Sequence, residues 1–337
     1  MTRRYSYIDA LKGLAICLVI LGHLCFNTSY LSIIIYSFHM PLFFILSGIL
    51  TSLNHSLNKP LKELVGSKIK NIMYPYLSFS ILSYIYFALI NNEATTKLII
   101  DETFKFFGYS TFWFLSTLFV SYLIFYLNQK LIKNEQTKFK IFLIIFVLTI
   151  IANYLFKGYN LNIYNNSNYI NFFNRGIIGY IFISCGYYFF PLATEFITKH
   201  QKISIVVLII LLGLSTLNGQ IDLHYSILNH VIPYFLLAIS ISFIIICLVK
   251  SFYKERRIPL FEYFGKNSLI IMATHLPFPI TETIMNITNV NSFRGLERYC
   301  NILICFITII VIEYYIIEII HRYLPFINKY PDTKKED

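Results

Sequence analysis

Charge is what this chain has least of. Only 13% of its 337 residues are Asp, Glu, Lys or Arg, about half the share of an ordinary soluble domain. So little charge cannot cover a water-facing surface around a composition that is 56% hydrophobic, which excludes a soluble globular domain. Cysteine is scarce as well and has no paired spacing: Cys17, Cys25, Cys185, Cys247, Cys300 and Cys305 fall mostly within apolar runs. That pattern argues against a disulfide framework or a Cys-based zinc site and reads them as small apolar fillers. No polar stretch is long enough to fold as a separate soluble domain. No internal repeat is visible, which weighs against transporters built from repeated halves.

What is present is a series of apolar runs of membrane-spanning length, near 8–27, 34–53, 72–91, 110–127, 139–157, 172–192, 203–219, 226–249, 267–287 and 300–320. They predict an all-α, polytopic bundle of about ten transmembrane helices. Residues 1–322 form one transmembrane domain in this reading, and 323–337 a short polar tail on the cytoplasmic side. Arg3 and Arg4 precede the first run as they do in a signal peptide, but no small-x-small cleavage site follows, so the run stays as a helix. With the N-terminus inside, 22 of the 28 Lys and Arg fall in inside segments. The positive-inside rule then puts both termini in the cytoplasm. The net charge of +11 is accounted for by that basic face, and no nucleic-acid partner is expected. The uncharged outer stretch 161–171 reads as a solvated connection.

Ionisable groups inside apolar runs are costly and mark sites. Lys12 and His23 lie eleven residues apart in the first run, about three turns and roughly 16.5 Å along a helix. Asp9, Lys12, Ile16, Val19 and His23 share one face, with the lysine toward the cytoplasm and the imidazole toward the outside. Snorkelling alone explains Lys12. His23 is harder to dismiss, because a neutral imidazole still needs partners and is the group best suited to proton transfer near neutral pH. His39 is expected at the outer start of the second helix, with Pro41 in its first turn. Two histidines without a nearby carboxylate fit no metal-ligand set, so no metal is expected. In the ninth run Pro277 and Pro279 should break the helix just after His275. Arg175 opens the sixth span as an acceptor contact or an interfacial anchor. Trp113 reads as a belt residue or a stacking platform. Glu313 must find a partner within the bundle, and the Ser47–Gly48 pair reads as a close-packing site.

The runs YIDALKGLAICLVILGH, YSFHMPLFFILSGIL, KIKNIMYPY, FWFLSTLF and GKNSLIIMATH, in this order, resemble the membrane acyltransferase-3 family. Within it they are most similar to fucose O-acetylase-like and bacterial polysaccharide O-acetyltransferases. The resemblance implies a multi-pass enzyme of the bacterial plasma membrane that moves an acetyl group from cytosolic acetyl-CoA to a hydroxyl of a cell-envelope or capsular glycan, or of its lipid-linked precursor. Acetyl-CoA is then a substrate, and no tightly bound cofactor is implied. It places the family's basic residue and essential histidine on Lys12 and His23, where arginine is the commoner basic residue. The family's cytoplasmic arginine pair falls on Lys68 and Asn71, with Lys70 adjacent. It also implies His275 on the donor side, with His39, Arg175 and Trp113 nearer the acceptor. A cytoplasmic mouth bearing Lys12, Lys68 and Lys70 suits the phosphates of coenzyme A. Direct transfer with His23 as base and an acyl-histidine relay both stay open. The rivals are a flippase for a lipid-linked glycan and an O-succinyltransferase.

Overall fold

The computed structural model describes residues 4–25, 30–158, 169–253 and 256–328. Among these the regular structure is helical, apart from one isolated antiparallel bridge between Asp222 and Ile227. In chain order the helices are α1 (Ser6–Leu24), α2 (Tyr30–Leu53), α3 (Leu61–Lys68), α4 (Tyr74–Leu89), α5 (Glu93–Phe104), α6 (Trp113–Leu131), α7 (Glu135–Gly158), α8 (Tyr169–Lys199), α9 (Gln201–Ser215), α10 (Val231–Phe252), α11 (Pro259–Lys266), α12 (Ser268–Thr274), α13 (Ile280–Thr288), α14 (Gly295–Tyr323) and α15 (Pro325–Asn328). Most of the 161–171 stretch and the tail beyond 328 lie outside the described residues.

Nine helical stretches among the described residues are long and apolar enough to cross a membrane. The chain is an all-α polytopic membrane protein. The ninth expected span is the one that differs: it is divided into α12, of seven residues, and α13, of nine. The break falls where the two prolines predict it, with His275 as the residue after α12.

Two further expectations need correction. α2 begins at Tyr30 and carries Pro41 in its interior rather than in its first turn, so His39 sits well inside the helix. The third span begins earlier than expected, because α3 runs into α4 through a π-helical turn over Ile69–Met73. Pro75 is the second residue after this turn, and its nitrogen has no hydrogen to give to the carbonyl of Asn71. A wider turn at this point is the kind of irregularity that π-bulges supply.

Packing divides the chain into two compact units, one of Met1–Leu64 with Val120–Lys266 and one of Val65–Phe119 with Asn267–Asp337. The first unit is held by two reciprocal glycine crossings. A Cβ on Gly13 would lie 1.9 Å from the Phe261 carbonyl oxygen, and one on Gly265 only 1.6 Å from that of Asp9, so α1 and α11 touch backbone to backbone. α2 and α8 meet in the same way, through Gly48 against Ile183 and Gly186 against Ile45 at 1.9 and 2.1 Å. Small residues do this in membranes because close approach supplies van der Waals contact where lipid offers no hydrophobic drive. Asn153 of α7 and Asn174 of α8 add a reciprocal amide pair at 3.0 and 2.9 Å.

In the second unit, Gly108 adopts φ +85°, and a Cβ there would strike the backbone at Trp113. Thr111 donates to the Met272 carbonyl at 2.6 Å. Thr274 donates at 2.7 Å to the Glu313 carboxylate, the bundle partner that this acid requires.

Candidate active site

At one end of the first unit the last turn of α1, the early turns of α2 and α8, and the α9–α10 connection come together. His23 lies in the last turn of α1 and is half-buried. Its Nδ1 is 3.1 Å from the Tyr36 hydroxyl, and the two rings stand edge to face, 6.2 Å between centroids. Gly22 makes this approach possible, since a Cβ there would come within 3.1 Å of both Ile35 and the Tyr36 ring. Tyr36 also meets His39 edge to face, 4.9 Å between centroids. His39 is 4% exposed, and its Nδ1 is 2.7 Å from the Ile35 carbonyl. One tyrosine therefore contacts both histidines.

The α9–α10 connection closes this end. Arg175 of α8 is fully buried, donates at 3.1 Å to the His224 carbonyl and lies over the Phe172 ring. Asn171 donates to the same carbonyl at 3.0 Å and accepts from Ser226 at 2.5 Å. Ser32 of α2 donates to Gln220 at 3.2 Å. Asp222 accepts from the His224 amide at 2.9 Å, and its charge acts on the Tyr36 hydroxyl. Burial pushes the Asp222 carboxyl up to about 6, against the pull of two backbone amides and of Arg175. Burial, helped by Arg175, holds the His224 imidazole well below its ordinary range and so uncharged at neutral pH.

At the other end of α1, Lys12 is half-buried. Arg4 pairs with Asp9 at 2.7 Å, and Arg257 makes two bonds to Glu262, at 2.9 and 2.5 Å, and holds that carboxyl below its usual range. A cavity of about 750 Å³ opens here, lined by Ala10, Leu14, Lys199, Gln201 and Phe261 among others.

The remaining expected site residues belong to the second unit. Lys68 is half-buried at the start of the π turn, and Lys70 is exposed within it. Asn71 is turned back onto Ser67. Trp113 is only 8% exposed, so its ring is packed in protein and is not a lipid-facing belt. His275 is fully enclosed, with Nδ1 2.6 Å from the Ile271 carbonyl. Its own carbonyl accepts from the Thr281 hydroxyl and amide at 2.8 and 3.1 Å. No group of three or more His, Cys, Asp or Glu among the described residues is placed to hold a metal ion.

A family model described as an acyltransferase domain, the acyltransferase-3 model, matches residues 5–318. The chain belongs to the acyltransferase-3 family. No curated protein and no solved structure matches it. The match takes in both ends of α1, and the chain is a membrane acyltransferase.

Two residues that contact or act on this cluster were not singled out from the sequence. Tyr36 is one of 27 tyrosines and carries no signal of its own. Asp222 was findable, as a carboxylate in the polar run NGQIDLHYS of a chain poor in acids.

Proposed function

We propose that the protein is a bacterial plasma-membrane O-acetyltransferase, carrying acetyl from cytosolic acetyl-CoA to a hydroxyl of a cell-envelope or capsular glycan or its lipid-linked precursor. The observation that carries this reading is His23: a half-buried imidazole in a membrane helix of an acyltransferase-3 chain, with Nδ1 held against a phenol. The acceptor hydroxyl gives its proton to His23 as its oxygen attacks the thioester carbonyl. The carbon–sulfur bond breaks and the proton passes to the coenzyme A sulfur, so ester and thiol leave together. A relay in which His23 first carries the acetyl group balances in the same way.

Lys12, Lys68 and Lys70 are assigned to the donor phosphates as point charges, and His275 to the wall of the donor path. The cavity of about 750 Å³ is of ordinary ligand size, but its α1 lining, Ala10 and Leu14, lies on the helix face opposite Lys12, so it is not assigned to the donor. His39, Arg175 and Trp113 are assigned to the acceptor end. Arg175 acts there through the connection it pins, because its guanidinium is enclosed.

Membranes containing the protein are given labelled acetyl-CoA, with labelled succinyl-CoA in parallel, and the glycan fraction is counted. Acetyl label is expected in glycan, and His23→Ala is expected to abolish it while the protein accumulates normally. Export of glycan with no label from either donor overturns the enzyme reading. Succinyl label alone overturns the choice of donor.

A further inference from the structure

Both routes at His23 need the same tautomer. Nε2 takes the proton or the acyl group only if it carries a lone pair, which puts the ring hydrogen on Nδ1. A hydrogen on Nδ1 inside a membrane bundle needs an acceptor, and the atom facing it is the Tyr36 hydroxyl oxygen at 3.1 Å. Two contacts hold that ring in place: Gly22 leaves room for it directly beside His23, and the His39 ring packs edge to face against it.

We infer that Tyr36 is a positioning residue of the acyl transfer: its oxygen accepts from His23 Nδ1–H, fixes the tautomer and ring plane, and so presents Nε2 to the reacting carbonyl. The role is that of the carboxylate behind a catalytic imidazole, filled here by a phenol. The Asp222 charge, which acts on the same phenol, favours an imidazolium forming at His23 during transfer. Besides Asp222, the titratable groups His23, His39 and Cys25 act on Tyr36. The inference rests on His23 being the reacting imidazole.

The test uses the full-length protein in membranes, acetyl-CoA as donor, and three chains: wild type, His23→Ala and Tyr36→Phe. Tyr36→Phe keeps the ring and deletes only the oxygen. Its maximal rate is expected to fall tenfold or more, with KM for acetyl-CoA within twofold of wild type and the acid limb of the rate–pH profile displaced. A purely structural role moves neither limb nor the kcat-to-KM split in this way. If Tyr36→Phe fails to accumulate, Gly22→Ala replaces it, since the added methyl displaces the same ring by a few tenths of an ångström, and the same signature is expected. Wild-type rate and pH profile in Tyr36→Phe, beside a dead His23→Ala, overturn the Tyr36 role alone. Full transfer in His23→Ala overturns the reading of the site itself.

Discussion

At the scale of single residues, Asp222 ties the site to pH. Its carboxyl stands near 6 in the fold against an ordinary 3.8, so between those values the folded chain holds a proton that the unfolded chain releases. The stability it contributes is complete below about pH 4 and is lost as pH rises through about 6. Amide protection at Ile227, whose N–H bonds to the Asp222 carbonyl at 2.8 Å, should therefore fall between about pH 4 and 6.5 and level off above, after correction for intrinsic exchange. Asp222→Asn keeps an acceptor oxygen for the His224 amide and should remove that dependence; an unchanged fall in the variant would refute the assignment. His23 was legible in sequence because an imidazole in an apolar run has few innocent explanations. Tyr36 was not, because its partner lies thirteen residues away in the chain, and only the meeting of α1 and α2 joins them.

At the scale of elements, the two glycine crossings set which helices can approach. An added methyl at Gly48 or Gly186 meets backbone at about 2 Å, and backbone cannot rotate away. Gly48→Ala and Gly186→Ala should each cost about 1–3 kcal/mol, the usual range for overpacking. A methyl added at Gly213 of α9 would meet nothing within 4 Å, and Gly213→Ala should instead gain about 0.5–1 kcal/mol from helix propensity. Thermal unfolding of the purified protein in detergent reads both signs, and a loss at Gly213 equal to that at Gly48 would show that the crossing is not what matters. Hydropathy located the helices but not their ends. The rule that places proline in a first turn serves soluble helices, whereas membrane helices tolerate it inside because local groups re-satisfy the freed carbonyls. One turn before Pro41 the Ser37 hydroxyl bonds the Ile34 carbonyl at 2.7 Å and the His39 ring that of Ile35, while the carbonyl that the proline itself frees is that of Ser37.

At the scale of the whole molecule, the broken segment decides a question of parity. Nine intact crossings leave the two termini on opposite sides of the bilayer. Both termini share a side only if α12 and α13 together make a tenth passage. Their sixteen helical residues rise about 24 Å, and the five residues between them supply the rest of a hydrocarbon core of about 30 Å. The excess of Lys and Arg in alternate connections favours that arrangement. In a Cys300→Ser background, which removes the exposed cysteine among the described residues, a membrane-impermeant maleimide added outside should label Asn91→Cys and Asn291→Cys but spare Asn58→Cys. Labelling of Asn291→Cys only after permeabilisation would mean that the broken pair turns back, and that the tail lies outside. With both termini on one side, insertion of this protein depends on a passage that no single helix makes: its orientation in the membrane is then set by two fragments, each too short to be recognised as a span.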